Sequence, residues 1–153
     1  MDFNTPLGAR VSLAEVLLQV KEFINKDSQK TYRLIIGTDS ENHDGVDFVT
    51  AIVIYRVGNG GKYFYRRLHE ANRLVMRDRI WKEVLMSLEV AQIIISQFKD
   101  FNNFEFEIHV DVGQNGPTKA LIQEVTGVIR GSGFNVKTKP ESYGASNVAD
   151  RHL

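Results

Sequence analysis

Residues 33–40 have the sequence Arg-Leu-Ile-Ile-Gly-Thr-Asp-Ser, and this stretch decides the fold. A short apolar run bounded by polar, turn-forming residues is typical of a strand that is buried on both faces of a sheet. Asp39 then stands at the carboxyl end of that strand, the edge at which open α/β sheets bind ligands. We therefore take this segment as the first strand of the core, and we place it at the centre of the sheet.

The segments around this strand predict an order of α-β-β-β-α-β-α-β-α. Residues 48–57 and 62–67 are rich in β-branched and aromatic side chains, and Gly58-Asn59-Gly60-Gly61 between them favours a tight turn. Helical spacing of apolar residues marks the helices, and alternation marks the later strands. The predicted helices cover residues 13–26, 77–98, a segment from Pro117 to Gly131, and a short terminal helix capped by Ser146. The predicted strands cover residues 33–39, 48–57, 62–67, 104–111 and 134–139.

This order predicts a five-stranded mixed sheet with helices on both faces. Three hairpin-connected strands followed by β-α-β-α-β cannot form a purely parallel sheet. The length of 153 residues matches one domain, 1–153, in which residues 1–29 form an N-terminal helical extension. Ser12 and Glu15 have the spacing of a capping box at the start of its helix.

Composition narrows the classes of function. The chain has no cysteine, which excludes disulfides, thiolate zinc sites and a cysteine nucleophile. It has 19 basic and 19 acidic residues, and zero net charge argues against tight non-specific coating of nucleic acid. No signal peptide or membrane-spanning run is evident, so we expect a cytoplasmic protein without a membrane partner.

Two aspartates are predicted to meet at the carboxyl edge of the sheet. If the strand at 33–39 lies beside a parallel strand at 104–111, Asp39 and Asp111 are about one strand spacing apart, roughly 4.8 Å. Close carboxylates repel each other unless a cation neutralises them, and hard oxygen ligands favour Mg²⁺ or Mn²⁺. The sequence therefore predicts a divalent cation at this edge, of the kind that supports phosphodiester hydrolysis.

Three segments carry a resemblance to a known family. They are Gly37-Thr38-Asp39-Ser40, the stretch from His109 to Gly113 with the following Gly-Pro-Thr-Lys, and Ala145-Ser-Asn-Val-Ala-Asp-Arg-His152. Together with the order of elements, they resemble the YkuK-type family of ribonuclease H-like proteins. The resemblance covers nearly the whole chain and implies a Mg²⁺-dependent, nuclease-like site acting on nucleic acid.

The resemblance implies roles for individual acidic residues. Asp39, Asp111 and Asp150 match the superfamily's acids on the first strand, the fourth strand and the last helix, and would hold the metal ion. Glu83 is the best match for the acid on the long helix, and Glu41 is a rival that fits an Asp-x-Glu pattern. From their positions, Lys119, Lys139 and Ser40 are the candidate substrate-binding residues: Lys119 follows a helix start, Lys139 adds positive charge at the sheet edge, and Ser40 adjoins Asp39.

A structural role remains open for each of these residues. Asp39 could be a turn residue, Asp111 could belong to a solvated strand face, and Asp150 could lie in a fraying end. Glu83 could be an ordinary surface residue of its helix. His109 and His152 are candidate general bases or phosphate contacts, although single histidines are more often structural.

The sequence leaves three functions open. The first is a metal-dependent hydrolase of phosphodiester bonds in RNA or RNA-containing strands. The second is a non-catalytic domain of the same fold that binds nucleic acid or protein. The third, a nucleotide-binding domain using residues 113–119, is disfavoured because the spacing of glycine and lysine differs from that of a phosphate-binding Walker loop.

Overall fold

The computed structural model describes residues 1–113, 116, 118–139 and 141–153. Within them, one sheet has seven strands rather than the five predicted, in the order β2-β1-β5-β4-β3-β6-β7. The strands are β1 (Asp2–Asn4), β2 (Arg10–Ser12), β3 (Tyr32–His43), β4 (Gly45–Arg56), β5 (Gly61–Glu70), β6 (Phe104–His109) and β7 (Asn135–Lys137).

The helices agree with the predicted positions except near the carboxyl terminus. They are α1 (Leu13–Asn25), α2 (Met76–Ser96), α3 (Ile122–Gly131) and α4 (Tyr143–Arg151). The helix α1 begins with the predicted capping box, in which Ser12 and Glu15 each bond the other's backbone N–H group. Two predicted starts are wrong. Ser146 lies inside α4, and α3 follows a 3₁₀ turn, Lys119–Leu121; Pro117 falls outside the described residues.

The two additional strands come from the first residues of the chain. The hairpin β1–β2 pairs at three positions, and β1 adds to the outer edge of β5 through Asn4 and Tyr65. The five predicted strands keep the expected relations: β3 is antiparallel to β4 and parallel to β6. The segment 1–29 therefore contains a sheet extension as well as its helix.

The sheet separates two apolar clusters. Helices α1, α2 and α3 pack on one face, where Leu34 and Ile36 of β3 contribute to the main core. The helix α4 packs on the other face, where Ile35 of β3 contacts a smaller cluster that includes Ala145 and Ala149. This face, which we call the α4 face, also carries Asp39, because side chains alternate along a strand. No helix in the described residues is long and apolar enough to cross a bilayer.

Close packing of α4 depends on a glycine in the central strand. A methyl group built on Gly37 would lie 2.6 Å from Cβ of Ala145 and 3.2 Å from the carbonyl oxygen of His109. Both distances are shorter than an ordinary van der Waals contact, so the helix approaches β3 only because residue 37 has no side chain. Gly37 therefore sets the height of α4 above the sheet.

Candidate functional site

The parallel pairing of β3 with β6 determines where Asp39 and Asp111 lie. Gly37 pairs with His109 at the end of this ladder, and each aspartate follows two residues later. The predicted end of the strand at Asp39 is wrong, because β3 continues to His43 through its pairing with β4. Equal spacing in parallel strands directs the two positions to the same face. The negative charge of Asp111 raises the pKa of Asp39, which is consistent with their closeness. The predicted arrangement of these two residues therefore agrees with the fold.

Asp39 is a carboxyl group with a strongly altered acidity. Burial is the largest cause and raises its pKa to about 6, while the backbone N–H of Ser40, which donates to Oδ1 at 2.8 Å, lowers it. The charges of Asp111 and Asp150 raise the pKa further. A carboxyl group that is costly to ionise because it is buried and has other acids nearby is a typical component of a cation site.

Glu83 brings a fourth carboxyl group to this cluster from the opposite face of the sheet. It is 4% exposed, and the hydroxyl of Ser40 donates a hydrogen bond to its Oε1. Burial raises the pKa of Glu83 to about 8, and the charges of Asp39 and Asp111 add to the effect. Its alternative assignment as an ordinary surface residue of the helix is therefore wrong. Ser40 joins the two halves of the cluster, since its backbone bonds Asp39 and its side chain bonds Glu83.

Arg79 is the residue near the cluster that the sequence analysis missed. It precedes Glu83 by one turn of α2, and its positive charge lowers the pKa of both Asp39 and Glu83. Its Nε atom is buried and has no hydrogen-bond partner within the described part of the chain. The i, i+4 spacing of an arginine and a glutamate was the available signal, but such pairs are common on helices.

Lys139 occupies the place beside Asp111 that a cation would take. Its Nζ atom lies 2.8 Å from Oδ1 of Asp111, and its backbone N–H donates to the carbonyl oxygen of Val112. The lysine side chain is 56% exposed, so it can leave the aspartate without unfolding the strand edge. The predicted positive edge therefore lies against the acidic cluster.

Other predicted residues lie apart from the cluster or have structural partners. Glu41 contacts the imidazole of His43, with 3.1 Å between Oε2 and Nε2. Lys119 is exposed in the 3₁₀ turn. His152 stacks on the ring of Tyr65 at 3.6 Å and lies 3.2 Å from the hydroxyl of Tyr63, so it fastens the end of α4 to β5.

The histidine on β6 belongs to a separate, buried ion-pair network. His109 is 5% exposed, burial lowers its pKa, and its Nε2 lies 3.4 Å from Oε1 of Glu107. Arg33 contacts the same Glu107 oxygen, and Lys137 lies 3.9 Å from the other one. The strand face that carries Glu107 and His109 is therefore covered by α4, whereas the side chain of Asp111, for which a solvated strand face was the alternative, is 33% exposed.

The carboxyl groups suit a divalent cation in chemistry but do not surround a common point. Asp39, Asp111, Asp150 and Glu83 offer hard oxygen ligands without sulfur, the donor set that Mg²⁺ and Mn²⁺ prefer. Among the described residues, however, no three His, Asp or Glu side chains are grouped so that they could hold an ion. Asp111 instead contacts Lys139.

The strand order and this cluster define the class of the molecule: an α/β protein with acidic groups just beyond the point where the ladder of two central parallel strands ends. The chain belongs to the ribonuclease H-like family, whose model matches residues 15–153. It is similar to the uncharacterized protein YkuK of Bacillus subtilis (strain 168), with 34% identity over 158 residues that cover 94% of this chain and 91% of that protein. No solved structure matched the chain significantly. The resemblance inferred from the three sequence segments is thus confirmed.

Proposed function

We propose that this protein is a Mg²⁺- or Mn²⁺-dependent hydrolase that cleaves phosphodiester bonds in RNA or RNA-containing strands. The observation that carries the proposal is the assembly of acids from four separate elements at one edge of the sheet. Burial is the largest cause of the raised pKa values of Asp39 and Glu83, about 6 and about 8, and the charges of the neighbouring acids add to it. Membership of the ribonuclease H-like family supports the same chemistry.

In this proposal each acidic residue has a defined task. Asp39 and Asp111 hold the divalent ion, Asp150 completes its set of ligands, and Glu83 serves the same or a second ion. When bound, such an ion activates a water molecule and stabilises the leaving oxygen of a phosphodiester. Its charge would also remove the penalty that now raises the pKa of Asp39, because opposite charge favours the ionised carboxylate.

In this proposal the basic side chains around the cluster compensate the acids in the metal-free state, and Lys139 also contacts the substrate. When no ion is bound, Lys139 neutralises Asp111. When an ion binds to Asp111, the lysine leaves the carboxylate and becomes available to contact a substrate phosphate. The positive charge of Arg79 lowers the pKa of Asp39 and Glu83, so this arginine compensates part of the negative charge of the cluster. Ser40 keeps Asp39 and Glu83 in position through its two hydrogen bonds.

The alternative proposal is a non-catalytic domain that binds nucleic acid or protein. The ion pair between Lys139 and Asp111 favours it, because a lysine already compensates one of the acids. The described residues also lack a preformed group of three metal-binding side chains.

A cleavage panel tests the two proposals against each other. Labelled single-stranded RNA, duplex RNA, RNA–DNA hybrid and DNA are incubated with Mn²⁺ and with wild type, Asp39→Asn or Asp111→Asn. Asp100→Asn, an exposed acid in the turn before β6, is the matched control. The hydrolase proposal expects cleavage by wild type and by the control that both site variants lose. Equal cleavage by all four proteins would indicate a contaminating nuclease, and no cleavage with retained binding would favour the non-catalytic domain.

A further inference from the structure

The N-terminal hairpin forms a cationic notch with β5 at the far edge of the sheet. Strand β1 pairs with β5 at one position, Asn4 with Tyr65, and the ladder does not continue to Arg66 and Arg67. A cavity of about 420 Å³ opens there, and Arg10 of β2 lines it together with these two arginines. In a chain with no net charge, three arginines in one cavity are a local excess of positive charge.

The three guanidinium groups differ in how far they are neutralised. Arg10 directs Nε and a terminal nitrogen to the same oxygen of Asp2, at 2.8 and 2.6 Å. Arg67 donates one terminal N–H to Asp47 at 2.8 Å and is about half exposed. The guanidinium group of Arg66 makes no hydrogen bond or ion pair within the part of the chain that the structure describes. Since a guanidinium group has five N–H donors, the notch keeps several donors for a ligand.

The position of Arg67 connects the notch to the acidic cluster. In the sheet register Asp39 pairs with Val49, and Val49 pairs with Arg67. Arg67 therefore belongs to the α4 face and lies two strand spacings, roughly 10 Å, from Asp39. A nucleic-acid strand carries one phosphate per about 3.4 Å of duplex axis, so about three phosphates span this distance.

We infer that Arg67 and Arg10, which share the α4 face, form a binding site for the phosphodiester backbone of a nucleic-acid strand whose neighbouring segment lies at Asp39. Arg66 pairs with Thr50 and projects to the opposite face of β5, so it is not part of this site. A cavity lined by arginines suits phosphate oxygens, which guanidinium groups bind in pairs, better than an apolar ligand. The inference rests on the proposed function for its ligand, but it concerns binding and not hydrolysis. The hairpin that supplies Arg10 precedes the residues matched by the family model, which start at residue 15.

Anisotropy of a fluorescent single-stranded RNA, measured in EDTA over a series of salt concentrations, tests the site without cleavage. Arg67→Gln should weaken binding about 3- to 10-fold and reduce the salt slope by about 1, because one phosphate contact is lost. Arg67→Lys should recover part of the affinity, since it keeps the charge but not the paired donors. The control is Arg130→Gln, an exposed arginine on α3, which packs beside β7 at the other edge of the sheet.

The outcomes separate this inference from the proposed function. If Arg67→Gln and Arg130→Gln bind RNA equally well, the site is wrong even where wild type cleaves RNA in a manner that depends on Asp39. If Arg67→Gln alone weakens binding and no cleavage is found, the site stands and the hydrolase proposal falls. Absence of RNA binding by wild type overturns the inference. Displacement of RNA by inorganic phosphate as effectively, per phosphate, as by unlabelled strand would identify a site for free phosphate and also overturn it.

Discussion

Glu83 shows most clearly how the fold alters a single side chain. Its carboxyl group is buried between α2 and β3, it accepts a hydrogen bond from Ser40, and its pKa is about 8. A carboxyl group whose pKa is higher in the folded than in the unfolded state favours folding in its protonated form. Its ionisation therefore opposes folding unless a cation compensates the charge.

The stability of the metal-free protein should depend on pH through Glu83. Because the pKa rises from 4.5 in the unfolded chain to about 8, its contribution is present below pH 4.5 and is lost as the pH rises towards 8. Glu83→Gln cannot ionise, so the variant should become more stable than wild type by about 2–4 kcal/mol between these limits. Urea unfolding at several pH values measures the difference, and a constant difference across this range would contradict the account.

Asp39→Asn should stabilise the metal-free protein near pH 7.5 while removing its response to metal. The pKa of Asp39 rises from 3.8 in the unfolded chain to about 6 in the folded protein. At pH values above this range, the ionisation of Asp39 therefore lowers the free energy of unfolding. We expect a gain of about 1–2 kcal/mol, reduced from the full conversion because the side chain is partly exposed to water. Thermal melting checks this value. The gain in stability of Asp39→Asn over wild type should vanish as the pH falls to about 4. A loss of stability of this variant at pH 7.5 would contradict the claim that ionised Asp39 destabilises the metal-free protein.

Lys139→Gln should separate the two tasks assigned to this lysine. Removing the ammonium group should tighten Mn²⁺ binding severalfold, because Lys139 no longer competes for Asp111, and should weaken RNA binding about 3- to 10-fold. Both side chains are partly exposed, so the stability change should stay below about 1 kcal/mol. Calorimetry with Mn²⁺ and RNA anisotropy measure the two effects, with Lys137→Gln as the control. If Lys139→Gln bound Mn²⁺ more weakly than wild type, Lys139 would support Asp111 and would not compete with the ion.

At the residue scale, sequence reasoning worked where strand ends determine position. Asp39 and Asp111 each come two residues after the last pair of the parallel β3–β6 ladder, and simple register brings them together. The burial of Glu83 could not be derived, because the rotation of α2 about its axis depends on packing against β3. No sequence pattern marked Arg66 and Arg67 as functional, because the cavity that they line forms only when the N-terminal hairpin β1–β2 lies beside β5.

At the scale of elements, the contact between β3 and α4 controls the site. Gly37→Ala should destabilise the protein by about 1–3 kcal/mol, because the new methyl group overlaps Ala145 and forces α4 away from the sheet. Since α4 carries Asp150, Mn²⁺ binding should weaken as well. The control Gly127→Ala, in α3, meets no atom within 4 Å and should stabilise its helix by up to about 1 kcal/mol. Equal stability of the two variants, measured by urea unfolding, would show that α4 tolerates displacement.

Elements with strong periodicity or strong turn signals were predictable, and short ones were not. Helices α1 and α2 and the hairpins of β3, β4 and β5 follow directly from apolar spacing and glycine-rich turns. Strands β1 and β2 have three residues each, too few for alternation to be visible, and form because β5 offers an open edge. The start of α4 was misplaced because Ser146 has cap chemistry but lies within a helix that begins at Tyr143.

For the whole molecule, zero net charge conceals a separation of charges across one sheet. Acids gather where the β3–β6 ladder ends, and arginines line the notch at the β1–β5 edge. Under the proposed function, this separation would let a neutral chain bind a polyanion weakly overall and still place one phosphate against the proposed cation site. The total composition gave no indication of it, because the charges are brought together only by folding.

Calorimetric titration of the protein with Mn²⁺ at pH 7.5 tests the central claim most directly. The account predicts saturable binding by wild type and by Asp100→Asn, and at least about tenfold weaker binding by Asp39→Asn and by Asp111→Asn, since each removes a ligand from the shared ion. Equal Mn²⁺ affinity in all four proteins would contradict the shared site, and the acidic cluster would then be a feature of the fold alone.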